Sequence, residues 1–362
     1  MKNVMHSHPG TWYWSLLGLA LVSELAACSS SHDQGRDTSP QKPAEPDVSL
    51  IESCPQYLCG QNDSRLNDYR FAMLHLGGKR NVHTGAALVG FEDRDGKRLA
   101  LDVTPSGEMV GTYPGGVRLA NEGLVGSHII VDIRRKDGKS VTRVIEVKGV
   151  TRASHMSRED GALTRYWLSF GPPENPRQLS LCKGEDRADL GALLIRDELY
   201  SQKTLAIEAP IGDPRSRDWV TLLCHDHALE KMKRMSYDPG RSPKDPYFTT
   251  PAARNATIKM ITAAYCENHD REWVSFTRPG TSLFWQNRAG WMIDGAPPDH
   301  SLMNYEIEAY WDENGAICLN TRRTEYARGY RVSRCWARLP ACQGVPRRWE
   351  WVTYVPTGTV AR

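Results

Sequence analysis

Leu88-Val89-Gly90-Phe91-Glu92-Asp93-Arg94-Asp95-Gly96-Lys97-Arg98-Leu99-Ala100-Leu101-Asp102-Val103 decides the reading of the fold. Leu88, Val89 and Phe91 run into an Asp-Gly turn, and Leu99, Leu101 and Val103 then alternate with other residues. Side chains change face at every residue of a strand, so the stretch reads as a hairpin. The same grammar recurs where Ile129, Val131 and Ile133 lead into Lys136-Asp137-Gly138-Lys139 and the chain returns from Val144 to Val147. Leu88-Val89-Gly90, Met109-Val110-Gly111 and Leu124-Val125-Gly126 mark recurrent strand ends, but their uneven spacing excludes a solenoid. Asp93 to Gly96 has the opening of a calcium loop without its later ligands, so it reads as a plain turn.

Downstream the pattern is mixed. Ala192 to Ile195 has the length of a buried strand, and Trp219 to Leu223 reads as a strand reaching Cys224. Asp226 is placed to cap a helix from His227 to about Met235, with Ala228, Leu229, Met232 and Met235 at helical spacing. Pro251 sets the first turn of a second helix, whose Ala256, Met260, Ala263 and Ala264 lead to Tyr265-Cys266. Strand-like pieces follow at Trp273 to Thr277, at Ser282 to Trp285, in a hairpin from Tyr305 to Asn320, and at Trp349 to Val355. The fold class is α+β, predominantly β. A β-rich N-terminal domain of hairpins is assigned to 49–175, a disulfide-stapled C-terminal β domain with two or three helices to 176–355, and a tail to 356–362.

Residues 1–28 have the layout of an export signal: Lys2, His6 and His8 lead, an apolar run follows from Trp12 to Val22, and small residues precede Cys28. The run is too short for a hydrocarbon core that needs roughly 20 apolar residues. Leu25-Ala26-Ala27-Cys28 is similar to the lipobox of bacterial lipoproteins, although Glu24 is an unusual neighbour. That resemblance implies a diacylglyceryl thioether, with palmitate, on Cys28. Ser29-Ser30 lacks the Asp often found where such proteins stay at the inner membrane, so the outer membrane is expected, facing the periplasm or the cell surface. Residues 29–48 are Pro-, Ser- and Asp-rich and almost free of apolar side chains, which makes them a disordered tether. As a coil it spans about 25 Å, and stretched toward polyproline geometry roughly 60 Å.

With Cys28 assigned to lipid, eight of the nine cysteines are left: Cys54, Cys59, Cys182, Cys224, Cys266, Cys318, Cys335 and Cys342. An even number in an exported chain reads as a disulfide framework. Proximity in sequence favours Cys54 with Cys59 and Cys335 with Cys342. The net charge of +3 and the absence of a basic stripe interleaved with aromatics exclude nucleic acid as the main partner.

The chain resembles the ADYC domain family. Ala256-Thr257-Ile258-Lys259-Met260-Ile261-Thr262-Ala263-Ala264-Tyr265-Cys266, followed by Pro279-Gly280-Thr281-Ser282-Leu283, is similar to its signature, named for Ala-Asp-Tyr-Cys at a helix end. Cys224 through Lys231 to Tyr237-Asp238-Pro239, Glu308-Ala309-Tyr310-Trp311 with Gly315-Ala316-Ile317-Cys318-Leu319, and Cys335 to Cys342 around Arg338-Leu339-Pro340 agree with it. The likeness covers about 176–345. Cys54-Pro55-Gln56-Tyr57-Leu58-Cys59-Gly60, Asn62 and Leu74-His75-Leu76-Gly77-Gly78 are similar to the front segment of related exported lipoproteins. Two positions depart: the family's Asp is Ala264, and an expected helix cysteine is Met232. The resemblance implies place and fold and brings no established activity.

Candidate chemistry is sparse. His225, His227 and His269 have metal-ligand types near Cys224 and Cys266, but His-Asp-His at a strand-to-helix turn lacks the spacing of a zinc site. Cys266 beside His269 would need a free thiolate to act as a nucleophile. The acidic pair Asp197-Glu198 has no identified partner, and no nucleophile elbow or phosphate loop is present, so no catalytic residue and no cofactor are assigned. Tryptophans crowd the last quarter of the chain, and Trp273, Trp285 and Trp311 are the candidates for contact with a protein or glycan. The reading is therefore a lipid-anchored envelope module that binds or scaffolds. Its alternative is a metal-assisted or acid/base envelope hydrolase using the three histidines.

Overall fold

The computed structural model describes residues 72–357 except 136, 157–161, 178, 183–190, 202–205, 226, 246–247, 267–275, 278–283, 289–291, 294–304, 323 and 326–337. Cys28, the tether, Cys54, Cys59, Asp226, His269, Trp273 and Cys335 lie outside the described residues. Apart from a 3-10 turn at Asn121–Leu124, the elements up to Cys224 are strands: β1 (Ala72–His75), β2 (Ala86–Glu92), β3 (Ala100–Val103), β4 (Met109–Thr112), β5 (Arg118–Ala120), β6 (His128–Arg134), β7 (Ser140–Ser154), β8 (Ala162–Gly171), β9 (Leu179–Ser180), β10 (Gly191–Arg196), β11 (Leu199–Tyr200), β12 (Ile207–Ala209) and β13 (Trp219–Cys224). Then come α1 (Ala228–Arg234), α2 (Pro251–Ile261), β14 (Phe276–Thr277), β15 (Phe284–Asn287), β16 (Met292–Ile293), β17 (Tyr305–Asp312), β18 (Gly315–Leu319), β19 (Thr324–Glu325) and β20 (Trp351–Pro356).

An antiparallel sheet runs β1-β13-β10-β8-β7-β6-β2, with β9 beside β8. Its two end strands, β1 and β2, also touch each other, and Asn81 in their connection donates from Nδ2 to Met73 O (3.4 Å) and from its backbone N to Ala86 O (2.8 Å). The sheet therefore curls around an apolar interior that includes Leu74, Phe91, Ile129, Val131, Ile145, Leu168 and Leu222. A three-stranded sheet, β3-β4-β5, adds Val103 and Met109 to that interior, and Met109 N donates to the Tyr166 hydroxyl (2.7 Å) to join the two sheets. Strands from both sides of residue 175 share the larger sheet.

The Ile129–Val147 hairpin forms as read, with β6 paired to β7 from His128↔Glu146 to Arg134↔Ser140. The opening hairpin forms only at its turn. Asp93 accepts from the backbone of Asp95 and Lys97 (both 2.8 Å) and Leu99 N reaches Phe91 O (2.8 Å), but β3 then leaves to pair with β4 while β2 pairs with β6. Phe91 and Leu99 both point into the same interior, and beyond them each strand takes a different neighbour, β6 for β2 and β4 for β3.

β10 and β13 are buried on both faces. Alternation sends Ala192, Leu194, Val220 and Leu222 into the curled sheet and Leu193, Ile195 and Leu223 to a second core with α1 and α2. On its other side that core is closed by a five-stranded sheet, β16-β15-β20-β17-β18, on which α2 packs through β17, β18 and β20. The helices thus form a layer between two sheets. α2 starts as expected, with Pro251 in its first turn and Thr250 Oγ1 accepting from Ala253 N (3.1 Å). α1 is capped by His227, whose Nδ1 accepts from Leu229 N (3.2 Å), so the helix begins one residue later than expected and the cap expected of Asp226 belongs to His227.

Cys182 bonds to Cys224 and Cys318 bonds to Cys342. The second bond corrects the expected Cys335–Cys342 pair. β18 lies beside the closing segment, where Leu319 N donates to Pro340 O (2.9 Å), so tertiary neighbourhood outweighs nearness in sequence. Cys266 is also disulfide-bonded.

On the outer face of the curled sheet, Arg177 grips Glu146 through Nε to Oε2 (2.8 Å) and Nη2 to Oε1 (2.6 Å). This hydrogen bonding holds the carboxyl below its ordinary value of 4.5, against the opposing effect of burial. A carboxyl lowered in the folded state adds stability above its unfolded value and loses it as the pH falls through the folded one. Arg177→Gln is therefore expected to be less stable than wild type at neutral pH, with the gap in urea unfolding closing as the pH falls through the lowered value of the Glu146 carboxyl. A gap that stays constant into acid would refute the assignment.

Candidate functional site

The concentration of chemistry lies along α1 and α2. Glu230, fully buried on α1, receives Arg165 Nη2 from β8 (2.6 Å), with His225 Nδ1 at 3.3 Å and Arg234 Nη1 at 3.8 Å from the same oxygen. One turn on, Lys233 Nζ donates to Asp238 Oδ2 (2.9 Å) and to Ser106 O in the β3–β4 turn (3.0 Å). A buried ammonium would be very costly without those partners. From α2, Arg254 Nε donates to Glu198 Oε1 (3.1 Å), its Nη2 pairs with Oε2, and Nη1 donates to Thr249 O (2.5 Å). Tyr200 completes the cluster by donating its hydroxyl to Glu198 Oε1 (2.6 Å); burial foremost, and then the Glu198 charge, hold that phenol well above its ordinary range.

The end of α2 is a second polar joint. Thr262 closes the helix, Ala263 takes a left-handed conformation at φ 51°, and Ala264 N donates back to Lys259 O (2.9 Å). Tyr265 then stacks on Trp311 at 5.2 Å and donates its hydroxyl to buried Glu308 (2.5 Å). Gly315 makes this joint with the β17–β18 turn. Its φ is +130°, and a Cβ there would lie 2.8 Å from Tyr265 O and 2.9 Å from Ala264 O. Gly315→Ala is expected to cost about 2 kcal/mol or more in urea unfolding; a change within a few tenths would show that the turn can move away.

Each sequence-derived site residue now has a place. His227 is buried as a cap and His225 faces Glu230, so the two imidazoles serve different contacts; among the described residues no group of three His, Cys, Asp or Glu side chains is arranged to hold a metal. Glu198 has its partner in Arg254, while Asp197 Oδ1 accepts from Asp218 N (2.6 Å) and its other oxygen lies 3.2 Å from Arg196. Trp311 is completely buried and donates Nε1 to Thr353 Oγ1 (2.9 Å), and Trp285 is buried in the same core. These two rings are core, which corrects their candidacy as contact platforms. Trp351, also fully buried, donates to Thr257 Oγ1 on α2 (2.8 Å). Tyr237 donates to Glu350 Oε1 (2.6 Å), whose carboxyl is pushed up chiefly by burial.

Arg165 and Arg254 escaped the reading of the sequence, while Glu198 and Glu308 were noted there without their partners. The available signal was a single charge at an inward position of an otherwise apolar strand or helix, as in Leu163-Thr164-Arg165-Tyr166-Trp167.

The model of the ADYC domain family matches residues 121–325, a span that starts ahead of β6 and takes in both helices and the β17–β18 hairpin. No curated protein and no solved structure matches the chain.

Proposed function

The chain belongs to the ADYC domain family, and from that premise we propose that it is a lipid-anchored envelope protein whose stapled fold binds or scaffolds a protein or glycan without catalysing a reaction. The observation that carries this reading is the use of buried charge. Glu198, Glu230, Asp238 and Glu308 each meet a cation or hydroxyl of the fold itself, the arrangement of a rigid scaffold. The disulfides fit a non-cytoplasmic compartment. No helix among the described residues is long and apolar enough to cross a membrane. Leu25-Ala26-Ala27-Cys28 and the polar stretch after it support attachment at the outer membrane through acylated Cys28.

Mass spectrometry of the chain isolated from membranes tests the anchor, together with fractionation of Cys28→Ser after a high-salt wash. A lipid mass on Cys28 and release of the variant into the soluble fraction are expected. An unmodified Cys28, or a variant that stays with the membrane through the wash, would overturn the proposal.

A further inference from the structure

The loop between β1 and β2 and the tip of the β6–β7 hairpin meet at one end of the larger sheet. Arg134 N donates to Gly85 O (3.0 Å), while Arg80 Nη1 donates to Gly85 O (2.5 Å) and Asp132 O (3.1 Å) and its Nη2 to Asp132 Oδ2 (2.5 Å). Gly85 has φ +68°, and a Cβ there would stand 2.4 Å from Arg134 O, so the loop is seated tightly on the strand. These contacts employ Arg80 and Asp132 inside the fold. Among the described residues of these two segments Lys79, His83, Arg134, Arg135 and Lys139 are exposed, as is one carboxylate, Asp137, which accepts from Lys139 N (2.9 Å). At the crest of the same loop Val82 is 88% exposed.

A branched apolar side chain held out in water on a loop that meets a cation-bearing hairpin tip matches one kind of surface well. The cations meet phosphate headgroups, and the isopropyl group enters the boundary between headgroups and acyl chains. We propose that this end of the sheet docks on anionic phospholipid. The inference rests on the lipid-anchor reading, which brings a bilayer within reach of the tether. A soluble polyanion would satisfy the cations but leave Val82 in water, which is why the bilayer is favoured.

The probe is vesicles of phosphatidylcholine alone or mixed with phosphatidylglycerol, sedimented with Cys28→Ser lacking residues 1–27, so that neither an acyl chain nor the apolar run from Trp12 to Val22 contributes. Binding is expected only to the anionic vesicles, weakening as salt rises. Adding Lys79→Glu, Arg135→Glu and Lys139→Glu should lower affinity at least about tenfold, and Val82→Ser several-fold, each in a variant whose thermal unfolding matches the parent. Equal binding to neutral vesicles, no binding to either, or full binding by the charge-reversed variant would overturn the proposal. So would retention on a soluble polyanion that Val82→Ser leaves unchanged. The mass of Cys28 in the wild-type chain is measured separately, so a failed dock and a failed anchor give different results.

Discussion

Arg254→Leu is expected to lower the unfolding free energy by about 3–5 kcal/mol, measured by urea unfolding followed through tryptophan fluorescence. Arg254 and Glu198 are both buried, and the guanidinium is the cation that Glu198 faces. Removing it leaves a carboxylate in the second core with, among the described residues, the Tyr200 hydroxyl as its donor, and a buried charge without a counter-charge costs far more than the pair contributes in net stability. The companion result is that Glu198→Leu/Arg254→Leu recovers most of the loss, because apolar side chains of similar volume need no desolvation. A single variant costing under about 1 kcal/mol would mean that water reaches the site and that the cluster is not the rigid joint described above.

The joint loss of Cys182 and Cys224 is expected to rank second. Their bond closes a separation of 42 residues, for which restriction of the unfolded chain corresponds to about 4 kcal/mol. It ties the segment after β9 to the last residue of β13, the strand shared by both cores, so the loss should reach the helix layer as well as the curled sheet. Cys182→Ala/Cys224→Ala should therefore unfold at lower urea in one transition seen by all probes. Two separated transitions would show that the cores are not coupled through β13. Wild-type protein unfolded in reductant should move toward the variant; if it does not, the cost comes from packing of the sulfurs, and the cross-link is not its source.

The strands and helices were legible because their signals are local. Ile129, Val131 and Ile133 alternate in sequence as they alternate in space, and Pro251 and Gly138 declare a helix start and a turn from their own backbone preferences. Partnership was less so. β3 pairs with β4 directly across the Thr104-Pro105-Ser106-Gly107 turn, whereas β2 takes β6 from farther along the chain, a partner that no window around Leu88 contains. The role of the aromatics was hidden for a similar reason. Trp311 and Trp285 have the composition of a contact platform, and their burial follows from α2 lying across the five-stranded sheet, which no window around either residue contains.

By itself the sequence determined the strand-rich class, the two helices and their approximate starts, the cysteine parity once Cys28 is set aside, and the likeness to a family. The class and the elements are carried by residues within a few positions of one another, and the parity and the likeness by residue identities alone, without knowledge of any contact. Only the tertiary structure decided that Cys342 joins Cys318, that His227 caps α1, and that the acid of Asp197-Glu198 most deeply buried belongs to Arg254 on a helix 56 residues away. The physical reason is common to all three. A disulfide, a cap and a buried charge are each satisfied by whichever complementary group the fold brings within bonding distance, and that distance is set by packing: the core against α1 and α2 for the cap and the charge, and a separate cluster with Tyr310, Val352 and Trp349 for Cys318 and Cys342.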